Sequence, residues 1–566
     1  MKKIDLKVVL LFLGIVAVSA VLRFWQLGEI PPSLDWDEAS WGYNAYSIIE
    51  TGKDEYGKRL PIVIQSLNDY KPALYMYLVI PVIYILGLTD FAVRFPNALF
   101  GVFSVIFTYF LVKELLGRRS IALLSSFLLA VSPWAIQFSR YAHEGTVGLT
   151  FNLLMALFFL KGLKKPKFML LSALFAGISI YTYQNQKAFV PLFGLVLLIS
   201  FFRQFLKLPG KYIIYSVLIG LIVVLPMFFY IIATPNSLTR ATGSSILKGP
   251  SGVLNQQFYP RRGLDNIERG DIVGRIKDNR RVVYAKAIVG NYLSHFDPNF
   301  LFVKSENIGR HSPPGMGHLY LIELSFFLIG LYFLVFGKYK KNIKIFIYLW
   351  MLVTPIAAAF TWDVPNSGRT LNFLPTFQII TAIGIISFYL WLVSLKIKSV
   401  FKNLTLSVIA FFALFNFVYY LNQYFVQYNY FSSGDFQYGY SEIIPEVQKL
   451  YPNYEKIIVS NEKPLDQSYI FFLYNLKYPP SLYQKKATKG EYKTFHSFDK
   501  YEFSEIRAKD WLNSRKNQLF INSSDNFPKQ AEKYILKEIK FLNNETAIYI
   551  VAGRDKAREK LDELHN

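Results

Sequence analysis

The sequence predicts an all-α protein that crosses a membrane many times and ends in a small α/β domain. Three observations carry this prediction: long apolar runs, few charged residues, and a change of composition after Asn422. Charged residues make up 18% of the 566 residues, whereas soluble proteins carry about a quarter. Hydrophobic residues make up 52%. These values exclude a disordered chain, a nucleic-acid-binding arm and a single soluble domain.

Charge and cysteine content narrow the class further. The 62 Lys and Arg residues outnumber the 39 Asp and Glu residues and give a net charge of +23. In a membrane protein this excess is expected from cytoplasmic loops, so it does not predict a nucleic-acid partner. The chain has no cysteine, which excludes disulfides, zinc–thiolate and iron–sulfur sites, and a thiol nucleophile.

Eleven apolar runs approach the roughly 20 residues that cross a bilayer as a helix. The first has no small-residue cleavage site after it, so we interpret it as an uncleaved helix rather than a signal peptide. A twelfth run, at 73–88, is expected to be re-entrant, interfacial or paired with a further crossing, which puts the count between eleven and thirteen. The eleven runs are residues 8–24, 91–112, 121–138, 149–160, 168–183, 189–202, 212–232, 319–336, 345–360, 374–395 and 404–421.

Basic residues determine the predicted orientation of these helices. They concentrate in short connectors after every second run, at 113–120, 161–167, 203–211, 337–344 and 396–403. Short loops rich in Lys and Arg face the cytoplasm. We therefore predict a multi-pass protein of the plasma membrane with a cytoplasmic N-terminus. If the twelfth run crossed the membrane fully, all five basic clusters would face outward. We therefore give the charge pattern more weight than the hydropathy of that run.

This orientation predicts two domains. Residues 1–421 form the transmembrane domain, whose long outer loops are 26–71 and 233–318. Residues 422–566 form an extracytoplasmic α/β domain of ordinary size. Its expected strands are 454–460, 518–522 and 546–551, and its expected helices are 442–450 and 466–476.

The second outer loop is basic although it is predicted to face outward, because the preference of Lys and Arg for the cytoplasmic side applies only to short loops. Its residues 264–281 fit two descriptions equally well. They form either a helix that lies at the membrane interface or a solvated charged loop.

Ionisable residues in apolar surroundings are costly, so those at the outer helix ends are functional candidates. The first outer loop begins with Asp37 and Glu38 and ends with Asp69 and Lys71. A charge that snorkels from a helix end to the interface is the alternative for each. Function is favoured for the Asp37–Glu38 pair and for Lys71, whereas snorkelling is favoured for Arg94.

Three further clusters reach the same predicted face. Arg140 and Glu144 follow the third run, His311 precedes the eighth, and Arg369 precedes the tenth. His311 either lines an acceptor entrance or is an ordinary loop histidine, with the ordinary interpretation slightly favoured. The turn 181–186 carries aromatic and amide side chains that suit either sugar stacking or an interfacial aromatic belt.

These clusters fit a reaction between a lipid-borne phosphate and an extracytoplasmic acceptor. A carboxylate can take a proton from the acceptor as a general base. Arg and Lys can hold the phosphate and stabilise the charge that develops on it as it leaves. The sequence contains no glycine-rich nucleotide loop of the Walker type.

At these residues the chain resembles the dolichyl-phosphate-mannose protein mannosyltransferase and aminoarabinose transferase group, glycosyltransferase family 39 of the GT-C fold. The resemblance covers residues 8–421 and departs from the family at Ala73, where a second Pro is common. The similar elements are the Asp37-Glu38 pair, Lys71-Pro-Ala-Leu, Arg94-Phe-Pro-Asn-Ala-Leu, Ser132-Pro with Ser139-Arg140 and Glu144, and Gly368-Arg-Thr-Leu-Asn-Phe-Leu-Pro.

The resemblance implies a transferase that moves a sugar from a polyprenyl-phosphate donor to a protein, lipid or cell-wall glycan outside the membrane. It implies Asp37 as general base with Glu38 beside it. Donor-phosphate contacts would be Lys71, Arg140 and Arg369, and we assign Asp69, Glu144 and His311 to substrate binding. No cofactor is required, although a divalent metal held by Asp37 and Glu144 is left open.

Two alternatives from other classes remain. A secondary transporter or lipid flippase would be expected to show repeated halves and charges near the bilayer midplane. The sequence shows no duplicated half, and its candidate charges lie at helix ends. A membrane-anchored binding protein would not need eleven crossings.

Overall fold

The computed structural model describes residues 5–67, 69–234, 243–246, 258–489 and 495–555. The helices of the first 294 residues are α1 Leu6–Phe24, α2 Trp36–Thr51, α3 Leu74–Leu86, α4 Asp90–Leu116, α5 Arg119–Val131, α6 Pro133–Arg140, α7 Gly145–Gly162, α8 Phe168–Ser179, α9 Gln186–Phe205, α10 Gly210–Ala233, α11 Phe258–Glu268, α12 Ile272–Lys277 and α13 Arg280–Ser294. Those that follow are α14 Leu321–Phe336, α15 Lys341–Val353, α16 Ile356–Ala359, α17 Thr376–Ser394, α18 Ser399–Asn422, α19 Tyr428–Ser432, α20 Gly439–Leu450, α21 Ser468–Asn475, α22 Pro480–Lys486 and α23 Ala508–Leu512. The strands are β1 Val63–Ser66, β2 Asp69–Pro72, β3 Lys456–Ser460, β4 Thr488–Lys489, β5 His496–Phe498, β6 Tyr501–Ser504, β7 Gln518–Asn522, β8 Ile535–Lys540 and β9 Thr546–Ala552.

Each of the eleven predicted membrane runs coincides with helix. Within the described ranges, 8 helical spans are long and apolar enough to cross a membrane, and a bent helix pair adds a ninth. The runs at 168–183 and 319–336 form shorter apolar helices. The ambiguous twelfth run forms α3, whose 13 residues extend about 20 Å, less than the roughly 30 Å of a bilayer core. The all-α membrane architecture is therefore confirmed.

The third predicted run is broken rather than continuous. α5 ends at Val131 and α6 begins at Pro133, with a bend of 54° between them. Proline has no amide hydrogen and is suited to a first helical position, and the Ser132 side chain caps the new helix by accepting from the Ala135 amide. The break redirects the residues up to Arg140.

Cα packing divides the chain into two compact units. The first contains Met1–Trp25, Tyr70–Pro72 and Asn97–Asn422, and the second contains Gln26–Asp69, Ala73–Pro96 and Gln423–Asn566. Most of the first outer loop thus belongs to the same unit as the C-terminal segment. A domain boundary after residue 421, with loop 26–71 counted in the transmembrane domain, stays a prediction.

The C-terminal segment contains a seven-stranded mixed sheet in the order β4-β5-β6-β3-β7-β9-β8. β3 pairs in parallel with β6 and β7, while the other pairings are antiparallel. The three predicted strands correspond to β3, β7 and β9, and the two predicted helices to α20 and α21. Strands β3 and β7 are almost wholly buried, which explains their apolar sequences.

Candidate functional site

The helix that carries the candidate base begins with a capping box. The Asp35 carboxylate accepts a hydrogen bond from the Glu38 amide at 2.8 Å, and the Glu38 carboxylate accepts one from the Asp35 amide at 3.1 Å. This reciprocal pairing satisfies amide groups that would otherwise lack partners at a helix start. Asp37 lies between the two capping residues, half-buried in the first turn of α2.

Arg94, on α4, binds Glu38 in the first turn of α2. Its guanidinium is fully buried and forms a bidentate ion pair with Glu38, with Nε 2.9 Å from Oε1 and Nη2 3.0 Å from Oε2. The remaining donors reach the carbonyl oxygens of Leu27, Pro31 and Ser33 at 3.2, 2.9 and 2.5 Å. The snorkelling interpretation of Arg94 is therefore wrong, because this buried side chain forms hydrogen bonds within the segment 27–38 and does not reach the interface.

Arg369 lies on the turn before α17, in the first unit. Its Nη1 donates to the Asp363 carbonyl at 2.7 Å and to the Thr361 hydroxyl at 2.8 Å. Its amide donates to Asn366 Oδ1 at 2.9 Å. The Asp363 carboxylate is 3.8 Å from Nη2, which is beyond hydrogen bonding. The Arg369 charge is thus fixed in place mainly by neutral oxygens and is only partly compensated.

Arg369 belongs to the segment 360–370, here called the Arg369 loop. The aromatic-amide turn at 181–186, before α9, connects this loop to strand β2, which carries Lys71. Gln184 Nε2 donates to the carbonyl of Tyr70, the residue before Lys71. Asn185 Nδ2 donates to the Arg369 carbonyl at 2.6 Å. Lys71 itself is only 2% exposed. The two adjacent amide side chains therefore connect two of the three predicted phosphate contacts, Lys71 and Arg369, to one turn.

A buried amide network supports that turn from within the helices. Asn152 Nδ2 donates to Gln186 Oε1 at 2.8 Å and to Asn372 Oδ1 at 2.9 Å. The Ser179 hydroxyl donates to Asn152 Oδ1 at 2.8 Å. Buried polar groups of this kind specify one arrangement when they are mutually satisfied. The network joins α7, α8 and α9 to the segment that follows Arg369.

Glu306 organises the other side of the Arg369 loop. Its carboxylate, 5% exposed, contacts His311 Nδ1 and His318 Nε2, each at 2.7 Å. It also accepts from the Ser367 amide at 3.0 Å and from the Ser367 hydroxyl at 2.5 Å. Burial by itself would raise the pKa of Glu306, but His318 and His311 hold that pKa well below its usual range. His311 is therefore one partner of a buried carboxylate that fixes the loop.

His295 is a second histidine that contacts this loop. The Asn366 amide donates to its Nε2 at 3.2 Å, and its Nδ1 lies 2.7 Å from the Asn291 carbonyl. A neutral ring with its hydrogen on Nδ1 satisfies both contacts. Burial lowers the pKa of His295 from 6.5 to about 4. The folded structure thus favours the neutral form of His295.

We expect the stability of the first unit to fall as the pH drops from 6.5 towards 4. In that interval the unfolded chain protonates His295 and the folded chain does not, so acid favours unfolding by about 3 kcal/mol at most. Thermal unfolding at pH 7.5 and pH 4.5 measures the difference. His295→Asn should lose this part of the pH dependence, and an unchanged profile in that variant would contradict the assignment.

Arg140 and Glu144 flank the loop that contains His143. Arg140 is fully buried, with Nη1 donating to the Leu22 carbonyl at 3.0 Å, rather than emerging at a surface as expected. Glu144 is 6% exposed and directly precedes α7. A Cβ on Gly368 would lie 3.1 Å from His143 Nε2, so the glycine lets the Arg369 loop pack against this loop.

The predicted residues fall into two sets. Lys71, Arg140, Glu144, His311 and Arg369 belong to the first unit, where the contacts above link Lys71, His311 and Arg369 to shared loops. Asp37, Glu38 and the half-buried Asp69 belong to the second unit. Sequence reasoning missed Glu306, His295, His318, Gln184 and Asn185 as organising residues.

The parts of the chain that the structure describes contain no group of three or more His, Asp or Glu placed to hold a metal ion. Glu306, His311 and His318 satisfy one another by hydrogen bonds instead. A metal held by Asp37 and Glu144 stays a hypothesis.

Comparison with known proteins agrees with this architecture. Residues 70–230 match the family model described as dolichyl-phosphate-mannose-protein mannosyltransferase. An uncharacterized protein of Aquifex aeolicus (strain VF5) is 26% identical over 204 residues, which cover 35% of this chain and 38% of that protein. The alignment therefore spans well under half the length of that curated relative.

Two crystal structures are similar over nearly the whole chain. ArnT from Cupriavidus metallidurans bound to undecaprenyl phosphate matches with a TM-score of 0.55 and 13% identity, covering 97% of this chain and 98% of that chain. The same protein in the apo state matches with a TM-score of 0.54 and 12% identity, covering 96% and 97%. These two matches show the fold.

The shared fold and the helical spans show a multi-pass membrane protein with the fold of the two ArnT structures. Over residues 70–230, the match to the family model confirms the predicted resemblance to glycosyltransferase family 39. The matched family is thus one of mannosyltransferases, and its description names dolichyl-phosphate-mannose.

Proposed function

We propose that this protein transfers a sugar from a polyprenyl-phosphate donor to an acceptor on the extracytoplasmic side of the plasma membrane. Asp37 takes the proton of the acceptor hydroxyl or amine. The acceptor attacks the anomeric carbon, a bond to the sugar forms, and the bond from that carbon to the phosphate oxygen breaks with inversion. The electron pair and the negative charge leave with the polyprenyl phosphate.

In this proposal Lys71 and Arg369 bind the leaving phosphate. The observation that supports this pairing is that one turn contacts the main chain next to both residues. The adjacent side chains of Gln184 and Asn185 bond the main chain at Tyr70 and at Arg369. Cations held in advance of the reaction stabilise developing charge without reorganising. Arg140 adds a third, fully buried positive charge that solvent does not screen.

The carboxylates receive different roles. Glu38 accepts hydrogen bonds from Arg94 and from the Asp35 amide, so we propose that it positions α2 and thereby Asp37. Asp69 and Glu144 are proposed to contact substrate. His311 is proposed to act through Glu306 by shaping the Arg369 loop.

We expect Lys71→Met and Arg369→Met each to raise the donor dissociation constant about ten- to hundredfold. Each change removes a charge-assisted hydrogen bond to phosphate, which contributes about 1.5–3 kcal/mol. Binding of a polyprenyl phosphate without sugar to protein in nanodiscs measures the effect directly. Lys304→Met, which removes an exposed lysine of the second outer loop, is the matched control. Unchanged affinity in both variants would remove these residues from the site.

Transfer and flipping are distinguished by one assay. Purified protein is incubated with radiolabelled polyprenyl-phosphate sugar and total membrane acceptors, and a second sample is reconstituted in vesicles with donor alone. Label on the acceptor supports a transferase. Transbilayer movement of the donor without any transfer supports the flippase alternative and would overturn the proposal.

The orientation is part of the same proposal. A cytoplasmic N-terminus and an extracytoplasmic C-terminal segment follow from the basic connectors after every second run. An acceptor outside the membrane requires this orientation of the candidate residues.

A further inference from the structure

The helices α11, α12 and α13 of the second outer loop expose an unusual combination of side chains. Between residues 258 and 294 the sequence carries eight Lys and Arg against four Asp and Glu. Within α11 and α12, five large aliphatic side chains are 58–74% exposed, which are Leu264, Ile267, Ile272, Val273 and Ile276. Exposed apolar residues beside a cationic excess are typical of helices that lie on a membrane surface.

The arrangement within α12 follows the interfacial pattern. Successive residues of a helix are about 100° apart, so Ile272, Val273 and Ile276 fall within one arc of about 100°. Arg275 and Lys277 lie on either side of that arc, at about 60° and 40° from its edges. An apolar stripe flanked by cations lets the stripe enter the acyl boundary while the cations meet lipid head groups.

The separation of α11 from α12 has a local cause. Gly270 has a φ of +64°, a left-handed conformation that favours glycine. The Asp271 side chain then caps α12 by accepting from the Gly274 amide at 2.8 Å. Residues 264–281, for which the sequence left a helix and a solvated loop open, therefore contain the end of α11, all of α12 and the start of α13. Both α11 and α12 expose their own aliphatic residues.

The far end of this segment is attached to the end of a membrane span. The Tyr292 hydroxyl donates to the Leu352 carbonyl at 2.8 Å, and Asn291 Nδ2 donates to the carbonyls of Ala359 and Thr361 at 3.1 and 2.9 Å. Ala359 is the last residue of the candidate span Lys341–Ala359, and Leu352 lies about two helical turns before it. These contacts attach α13 to the end of a span, where a membrane helix is expected to reach the bilayer surface.

We propose that α11 and α12 form a docking surface for anionic phospholipid head groups of the bilayer that holds the protein. The five aliphatic side chains enter the interface, and the flanking cations bind the lipid phosphates. An anionic surface attracts each nearby Lys or Arg enough to change the docked-to-free ratio about fivefold. This inference does not depend on the proposed sugar transfer.

The absence of cysteine allows a direct test with a single introduced label. Ile276→Cys carries a spin label on the apolar arc, and the protein is reconstituted in nanodiscs of phosphatidylcholine alone or with phosphatidylglycerol. We expect the label to be reached by oxygen and shielded from a water-soluble nickel reagent when phosphatidylglycerol is present. Arg262→Cys is the matched control, since Arg262 is an exposed residue of α11 about 160° around from Leu264 and about 140° from Ile267, and it should remain exposed to the nickel reagent.

Charge removal tests the head-group contact separately. Arg275→Gln with Lys277→Gln should lower the docked-to-free ratio about 25-fold, at about fivefold for each cation, and the Ile276 label should become accessible to nickel. A label equally accessible in both lipid compositions would overturn the docking. Shielding that is equal in both compositions, or that survives removal of the two cations, would overturn the selectivity for anionic lipid.

Discussion

Replacing Asp37 with Asn should reduce kcat for sugar transfer by about 10²- to 10⁴-fold, the usual contribution of a general base. The amide cannot accept the acceptor proton, while its size leaves the first turn of α2 unchanged. The capping contacts between Asp35 and Glu38 do not involve the Asp37 side chain. We therefore expect the donor dissociation constant and Tm to stay close to those of the wild type. Initial rates at saturating donor measure the effect.

Glu29→Gln is the matched control for this prediction. It makes the same chemical change at an exposed carboxylate of the same loop and should leave kcat unchanged. Asp37→Glu keeps a carboxylate but moves it by one methylene, so partial activity is expected. Transfer by Asp37→Asn at the wild-type rate would exclude Asp37 as the base.

Arg94→Met should destabilise the second unit by about 3–5 kcal/mol, because it leaves the buried Glu38 carboxylate without its cation. It also removes the donors to the carbonyls of Leu27, Pro31 and Ser33. Since residues 27–38 lead directly into α2, we expect activity to fall with stability. Thermal unfolding in nanodiscs, followed by intrinsic fluorescence, measures the loss.

A double-mutant cycle separates the ion pair from the other contacts. Glu38→Gln combined with Arg94→Met should cost less than the two single changes added together, since neither charge is then buried alone. Arg507→Met is the matched control, because it breaks an exposed pair with Glu505 and should change Tm little. Strict additivity of Glu38→Gln and Arg94→Met would contradict a coupled pair.

The apolar runs predicted the membrane helices because a bilayer demands internal hydrogen bonding over a fixed length. Breaks within a run depend on single residues, and the bend at Ser132-Pro133 divides one predicted span into two helices. In the C-terminal sheet, the buried strands β3 and β7 were predicted. The short strands β4 and β5 and the largely exposed β8 were not, because they lack a continuous apolar signal.

Candidate residues were predictable where a charge lies at a helix end in a motif. Asp37, Lys71 and Arg369 were found in this way, and their chemical roles remain proposals. The supporting residues gave no such signal. Gln184 and Asn185 are neutral amides in an aromatic turn, and Glu306 is one acidic residue in a basic loop. Their partners Tyr70, Arg369 and Ser367 lie 61 to 184 positions away in the chain. The two histidines that contact Glu306 are near it in sequence, at 5 and 12 positions.

The sequence by itself determined the membrane class, the helical spans and the set of ionisable residues available for chemistry. Hydropathy and charge are local properties, and a bilayer acts on them segment by segment. Only the tertiary structure decided which of those charges are already engaged. Arg94 pairs with Glu38, Glu306 accepts hydrogen bonds from Ser367, and the amide side chains of one turn bond the main chain at Tyr70 and at Arg369. Hydrogen bonds of this kind depend on distances of about 3 Å between residues far apart in the chain, which no local pattern specifies.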